Sequence, residues 1–190
     1  MIYLVRHGQT DWNIQHRLQG QTDIELNQTG IEQAEILAQK LSKIKFDICF
    51  ASPLKRAFKT AQIIYQGKII PDRRIVERGA GELEGRTDWK QLQQQLGIDI
   101  NHPHESRLGI EPLNNMKRRL SSFWNEILEK YPDDNVLVVT HAGVAKGTQI
   151  YFYGMPENND LSKYRLDNCA ILTIDNHKLP KQPGFDDMEA

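Results

Sequence analysis

Cysteine is scarce in this sequence. Only Cys49 and Cys169 occur among its 190 residues, and both lie in apolar runs typical of β-strands. This distribution predicts two buried, reduced thiols and argues against a disulfide framework or a cysteine-based metal site. Because reduced thiols are typical of proteins inside the cell, we expect the protein to be cytoplasmic.

Long hydrophobic runs and an excess of charge of one sign are also missing. No apolar stretch approaches the ~20 residues of a membrane-spanning helix, and the first predicted strand lies so close to Met1 that we expect no signal peptide. The formal net charge is -1, whereas domains that bind nucleic acid are usually basic. We therefore expect no membrane and no nucleic acid as a partner.

Segments with the patterns of strands and helices alternate along the chain. The predicted strands are residues 2–5, 46–51, 68–70, 135–140 and 170–174. The predicted helices are residues 29–44, 54–65, 88–96, 112–130 and 144–153. This alternation is typical of an α/β layer sandwich with a mostly parallel sheet, and we expect a single domain over residues 1–177.

Two segments depart from this alternation. Residues 86–115 are polar and weakly patterned, and a long irregular stretch in a compact domain is often a lid or a binding segment. We expect this segment to determine substrate specificity. Residues 178–190 contain prolines, a glycine and several acids, a composition that predicts a poorly ordered tail.

Two histidines follow predicted strands in the same way. His7 stands directly after Arg6 and before Gly8 at the end of the first strand, and His141 follows the strand that ends at Thr140. Open α/β sheets bind ligands at the carboxyl ends of their strands, so both imidazoles can converge on one pocket. A guanidinium binds phosphate oxygens through paired hydrogen bonds, and an imidazole can attack phosphorus.

A further cation is predicted at the same end of the sheet. Ser52 and Pro53 follow the second strand and place Arg56 in the first turns of a helix, where backbone N–H groups and the helix dipole favour phosphate. The three residues 6–8 alone are a weak signal, and a loop histidine without a catalytic role is the alternative for His7. The convergence of the strand ends favours a phosphate pocket.

Five motifs that follow one another along residues 1–175 together resemble the histidine phosphatase superfamily, also called the phosphoglycerate mutase-like family. They are Leu4-Val5-Arg6-His7-Gly8-Gln9-Thr10 with Asn13, Gln19-Gly20-Gln21-Thr22-Asp23, Ala51-Ser52-Pro53-Leu54-Lys55-Arg56-Ala57, Glu77 with Gly81 and Glu84-Gly85, and Val139-Thr140-His141-Ala142-Gly143-Val144. Each motif is moderately specific, but the ordered set is strong. The resemblance implies a three-layer α/β/α sandwich with a mostly parallel central sheet.

The resemblance also implies the roles of the site residues. His7 is the nucleophile that becomes a phosphohistidine, and the phosphate pocket around it is formed by Arg6, Asn13, Gln19, Gly20, Arg56, Glu77, His141 and Ala142. Two guanidinium groups beside His7 disfavour protonation of its ring, which keeps a lone pair on one nitrogen. The other nitrogen needs an acceptor, which the sequence does not indicate.

Glu77 matches the family's catalytic acid, which protonates the leaving oxygen and then takes a proton from the attacking water. Glu82 and Glu84 compete for this role because they lie close by in the sequence. We expect these two carboxylates to face solvent or to make structural contacts. A surface carboxylate without a catalytic role is the alternative for Glu77.

Two positions depart from the family pattern. His104 precedes Glu105 where many relatives have glycine, which puts the substrate contacts of the lid in doubt, and Ala142 follows His141 where glycine is frequent. His102 and His104 suggest a metal site, but their spacing is not convincing, and a lid segment is favoured. We expect no metal and no cofactor.

The short chain and the residues of the motifs at 19–23 and 140–143 resemble the phosphatase branches of the family. We predict a metal-independent phosphomonoesterase that acts on a small phosphorylated metabolite. One alternative is a cofactor-dependent phosphoglycerate mutase, which usually carries insertions that this chain lacks. Another is a catalytically silent phosphate-binding protein, which would have no use for the proton donor Glu77. A homodimer stays open, because the sequence does not indicate the oligomeric state.

Overall fold

A computed structural model describes residues 1–156, 160–179 and 183–185. The strands in this part of the chain are β1 (Ile2–Arg6), β2 (Ile48–Ala51), β3 (Ile69–Pro71), β4 (Val136–Thr140) and β5 (Ile171–Ile174). The α-helices are α1 (Asp11–Ile14), α2 (Gln28–Leu41), α3 (Lys55–Ile64), α4 (Trp89–Leu96), α5 (Leu113–Lys130) and α6 (Ala142–Tyr153). None of the helices described is both long and apolar enough to cross a membrane.

The strands form one sheet in the order β3-β2-β4-β1-β5. The central strand β4 pairs in parallel with β1 and β2, so that Val136 lies opposite both Ile2 and Ile48. β3 is parallel to β2, and β5 runs antiparallel to β1 at the opposite edge. Every residue of β4 is buried, as expected for a strand covered on both faces. The carboxyl ends of β1, β2 and β4 therefore lie side by side.

Helices cover both faces of the sheet. α2 and α3 pack together on one face, over a core that includes Val5 and Leu37. α5 and α6 pack together on the other face, over a core that includes Leu4 and Trp124. Neighbouring residues of β1 enter different cores because side chains alternate across a strand. The predicted three-layer sandwich with a mostly parallel sheet is confirmed.

Most predicted helices and strands are present with slightly displaced ends. α2 begins at Gln28 because the side chain of Asn27 accepts a hydrogen bond from the Gly30 N–H and caps the helix. The short helix α1 was not predicted. Its four residues are too few for a periodic pattern, and a capping box between Thr10 and Asn13 defines it instead.

Residues 86–115 are folded rather than irregular. They contain α4 and a single 3-10 turn at Arg107–Gly109. Apolar side chains of this segment, among them Ile98 and Ile110, form a small separate core with Leu83. The segment is thereby packed against the loop that carries Glu77.

Part of the predicted tail packs against the domain. The N–H of Gly184 donates to the carbonyl oxygen of Tyr151 at 2.8 Å, and Phe185 is buried against the Tyr151 ring, with the ammonium of Lys117 5.8 Å from its centre. Burial of this one aromatic side chain holds residues 184 and 185 against the domain, although the composition of the tail is polar. The rest of the predicted tail, residues 180–182 and 186–190, lies outside the described residues.

Candidate active site

Three strand ends bring the predicted phosphate-binding side chains together. His7 follows β1, Arg56 lies in the first turn of α3 after β2, and His141 follows β4. The ring centres of the two histidines are 5.2 Å apart. The turn after β1 requires glycine, because a Cβ on Gly8 would lie only 2.4 Å from the carbonyl oxygen of Gly30 in α2.

The ring of His7 is buried and is oriented by one hydrogen bond. Its Nδ1 lies 2.7 Å from the carbonyl oxygen of Gly8. Because a carbonyl can only accept, this nitrogen carries the proton. The N–H of Gly8 in turn donates to the hydroxyl of Thr60 at 3.0 Å. The ring's Nε2 has no hydrogen-bond partner within the described chain and keeps its lone pair.

Both histidine rings are neutral near physiological pH. Burial lowers the pKa of His7 well below its usual value, and the positive charges of Arg56 and Arg6 lower it further. Burial, followed by the charge of Arg56, also lowers the pKa of His141. Nε2 of His141 lies 2.7 Å from Oγ of Ser52, and this hydrogen bond orients the ring.

Two guanidinium groups lie beside the histidines. Arg56 is 1% exposed, and its Nη atoms donate to the carbonyl oxygens of Gly20 and Thr22 at 2.7 and 2.8 Å. Arg6 donates to the carbonyl oxygen of Leu166 at 2.8 Å. Burial lowers the pKa of Arg56 to about 10, and among the described residues Nε of each arginine has no partner. Desolvated cations held by neutral carbonyls favour the binding of an anion.

Glu77 reaches the same end of the sheet from a loop. Its carboxylate accepts hydrogen bonds from the N–H of Gly143 at 3.0 Å and from the N–H of Arg78 at 2.9 Å. Gly143 lies in the first turn of α6, and a Cβ there would lie 2.4 Å from Oε1 of Glu77. The predicted acid is therefore held against the helix that begins directly after His141.

The two competing carboxylates have other surroundings, as predicted. Glu82 is exposed to solvent. Glu84 accepts hydrogen bonds from the N–H groups of Gln21, Thr22 and Ala80, and from the hydroxyl of Thr22. It thus stabilises the loop whose carbonyls bind the Arg56 guanidinium. Neither of these carboxylates lines the cavity that Glu77 enters.

A cavity of about 1350 Å³ opens over these residues. The predicted site residues that line it are Arg6, His7, Asn13, Gln19, Gly20, Arg56, Glu77 and Ala142. His141 is completely buried and contacts His7 rather than the cavity. Asn13 also serves its local turn, because its Oδ1 accepts the N–H of Thr10 at 3.1 Å.

Other residues of the cavity were missed by the sequence analysis. Trp12 and Arg17 line it together, with the guanidinium carbon of Arg17 4.4 Å from the Trp12 ring centre. Arg78 also lines the cavity, and it donates to the carbonyl oxygens of Glu111 and Ile100. No sequence signal marks these residues, because contacts with distant parts of the chain place them.

Positive side chains outnumber negative ones around the cavity. Among the described residues that line it, the cations are Arg6, Arg17, Arg56, Arg78, Lys90, Lys117, Lys146 and Arg165, and the carboxylates are Glu77 and Asp167. Walls of one charge sign concentrate the opposite sign in a cleft. This cavity therefore suits an anionic ligand.

The predicted lid histidines lie away from the cavity. His102 and His104 are exposed, their ring centres are 6.1 Å apart, and neither lines the cavity, whereas the neighbouring Ile100 and Asn101 do. The expected contact of the lid with substrate therefore cannot come from these two rings. Within the ranges described, no group of three or more His, Cys, Asp or Glu side chains could hold a metal ion.

Known proteins are similar to this chain in sequence and in fold. The sequence pattern of the histidine phosphatase superfamily (branch 1) matches residues 2–179. Phosphoglycerate mutase-like protein 4 of Arabidopsis thaliana is 35% identical over 159 residues, which cover 76% of this chain and 67% of that protein. Phosphoserine phosphatase 1 of Hydrogenobacter thermophilus is 31% identical over 176 residues, which cover 88% of this chain and 81% of that protein. The crystal structure of the alpha-ribazole phosphatase from Shigella flexneri matches with a TM-score of 0.77 at 26% identity, over 90% of this chain and 87% of that one.

Mild acid should destabilise the protein through its buried neutral histidines. The pKa of His7 is lowered in the folded state relative to about 6.5 in an unfolded chain. The unfolded state therefore binds more protons, and stability falls as the pH drops below about 6.5. Each such ring contributes up to about 1.4 kcal/mol per pH unit. Urea unfolding at several values between pH 7 and pH 5 measures this free energy.

Two variants separate this effect from general acid sensitivity. His7→Gln should lose about one histidine's share of the pH dependence. His102→Gln, which replaces an exposed ring, should keep the dependence of the wild type. If His7→Gln and wild type lose stability equally between pH 7 and pH 5, His7 is not a buried neutral ring.

Proposed function

The chain belongs to branch 1 of the histidine phosphatase superfamily, and from this membership we propose that it is a metal-independent phosphomonoesterase that forms a phosphohistidine at His7. Its class as a phosphatase follows from the family and from relatives that are themselves phosphatases. The proposed catalytic route is the one that the family resemblance implies, and the geometry of the cavity supports it and suggests the kind of substrate.

One observation carries the proposal. His7 lines the cavity, its Nδ1 is bound to the Gly8 carbonyl, and its Nε2 has no hydrogen-bond partner among the described residues. Burial and two neighbouring guanidinium groups keep the ring neutral. A neutral imidazole with its lone pair directed by a fixed tautomer is the form that attacks phosphorus.

The reaction has two steps. In the first, Nε2 of His7 attacks phosphorus, the bond from phosphorus to the ester oxygen breaks, and Glu77 gives a proton to the departing oxygen. In the second, Glu77 takes a proton from water while the water oxygen attacks phosphorus and the phosphorus–nitrogen bond breaks. Phosphate leaves, and His7 and Glu77 return to their starting forms.

The remaining site residues hold the phosphoryl group. We assign its charge stabilisation to Arg6 and Arg56, and further contacts to Asn13, Gln19, Gly20 and Ala142. His141 supports the nucleophile from its buried position. Phosphoryl transfer depends mainly on positioned charge and hydrogen-bond donors, and two desolvated guanidinium groups can supply the positive charge that a metal ion provides in other phosphatases.

The substrate that we propose is a small phosphorylated metabolite. A cavity of about 1350 Å³ is larger than a phosphoryl group requires, so it has room for the leaving group. Residues 86–115 contribute Trp89, Ile100 and Ile110 to its walls, and these side chains would contact that leaving group. The excess of positive side chains favours metabolites that are anions.

Removing the nucleophile should abolish turnover, whereas removing divalent metals should not. His7→Ala is expected to hydrolyse p-nitrophenyl phosphate at least about 10³-fold more slowly, because no other side chain can carry the phosphoryl group. His104→Ala, which changes an exposed ring outside the cavity, is the matched control for this variant.

Wild-type turnover should survive dialysis against EDTA, because the two guanidinium groups supply the positive charge. Activity that disappears on dialysis and returns with Mg²⁺ or Zn²⁺ would refute the metal-free mechanism.

The leaving group should reveal which glutamate is the acid. Glu77→Gln is expected to slow hydrolysis of an alkyl phosphate by about 10²–10⁴-fold, the usual effect of general acid–base catalysis. It should slow p-nitrophenyl phosphate far less, because p-nitrophenolate scarcely needs a proton to depart. Glu82→Gln should affect both substrates equally and weakly. If the two variants exchange these behaviours in steady-state assays, the acid is Glu82.

A further inference from the structure

We propose that the ion pair between Arg119 and Glu111 positions Glu77 for proton transfer. This inference rests on the proposed role of Glu77 as the acid. Glu77 lies in a loop between two single 3-10 turns, Arg73–Ile75 and Gly81–Leu83, so neither a strand ladder nor an α-helix fixes its backbone. A proton donor must nevertheless stay close to its productive geometry.

Arg119 projects from α5 and uses all five of its N–H groups. Nη1 donates to the carbonyl oxygens of Arg74 and Val76, both at 2.7 Å, and Nη2 donates to the carbonyl oxygen of Glu77 at 3.3 Å. Nε and Nη2 also donate to the two carboxylate oxygens of Glu111 at 2.7 and 3.0 Å. One planar group thus binds the backbone before Glu77 and at Glu77 itself.

Glu111 binds the chain on the other side of Glu77. Its Oε2 accepts the N–H of Gly79 at 3.1 Å, and its own N–H donates to the carbonyl oxygen of Gly79 at 2.9 Å. Its carbonyl oxygen accepts Nε of Arg78 at 2.7 Å. The loop of residues 74–79 is therefore held from both ends by one ion pair.

The pair is built to be rigid. The side chains of Arg119 and Glu111 are only 16% and 17% exposed, so solvent and salt screen their attraction weakly. The guanidinium is saturated, with every donor engaged in a planar arrangement that a lysine ammonium cannot reproduce.

Neither Arg119 nor Glu111 lines the cavity. Their effect on the reaction would therefore pass through the loop of residues 74–79, which carries Glu77, and this makes them positioning residues. Such a role predicts losses that depend on how much the leaving group needs a proton, whereas general disorder of the site would affect all substrates alike.

Arg119→Lys keeps the charge but removes the planar set of donors. We expect kcat for an alkyl phosphate to fall by about 10–10²-fold, the order expected for a displacement of about 1 Å. For p-nitrophenyl phosphate we expect a loss of less than about 3-fold, since little proton transfer is needed. In a Glu77→Gln background, Arg119→Lys should cause no further loss with the alkyl phosphate.

Arg74→Lys is the matched control. Arg74 belongs to the same loop and is ion-paired with Asp72 and Glu126, but its side chain makes no hydrogen bond to Glu77. This variant should keep the wild-type ratio of the two substrates. If Arg119→Lys does not fold, as judged by circular dichroism, Glu111→Gln tests the same pair at constant side-chain size.

The outcomes separate this inference from the proposed function. An equal loss with both substrates, additive with Glu77→Gln, would overturn the positioning role and leave Glu77 as the acid. A Glu77→Gln variant without any dependence on the leaving group would overturn the assignment of the acid, and the positioning role with it.

Discussion

One buried and one half-buried guanidinium group lie beside two buried imidazoles, and this arrangement constrains the rest of the site. Burying a cation without a counter-charge is unfavourable, and the protein offsets part of that cost with the backbone carbonyls of Gly20, Thr22 and Leu166. The same charges lower the pKa of His7, after the larger effect of burial. A phosphate dianion would bring negative charge to both guanidinium groups, beside the imidazole that attacks it.

The loops around the site need support of their own, and side chains that do not line the cavity provide it. Glu84 binds the N–H groups of the loop that presents Gly20 and Thr22 to Arg56. Arg119 and Glu111 bind the loop that carries Glu77. Charged residues thus have two roles at this site. Some are cations that line the cavity. Others form ion pairs or bind backbone groups, and they shape the loops around the cavity. A substitution of one of these supporting groups should change the catalytic rate although the group itself does not contact the substrate.

Much of this architecture could be predicted from the sequence, because the relevant signals are local. The apolar runs before His7 and His141 predict buried parallel strands, and the carboxyl ends of such strands define the site. Family motifs then separate Glu77 from Glu82 and Glu84, and the surroundings of the three carboxylates agree with that separation. Local sequence patterns did not predict features that depend on contacts between distant parts of the chain. Phe185 packs on Tyr151 despite a polar tail, and Arg78 is held at the cavity by the carbonyl oxygens of residues 100 and 111. The acceptor for His7 is local, because it is the carbonyl oxygen of Gly8, but nothing in the sequence shows which way that carbonyl is turned.

The proposed mechanism depends most on His7 acting as a nucleophile and not only as a phosphate ligand, and the covalent intermediate tests this directly. Wild-type protein can be mixed with a ³²P-labelled phosphomonoester, quenched within one turnover in alkaline denaturant, and separated from free phosphate. We expect label on the protein that survives base and is lost in acid, as a phosphorus–nitrogen bond requires, and no label on His7→Ala. An unlabelled wild-type protein that still turns over substrate, or label that survives acid and is lost in base, would contradict the account.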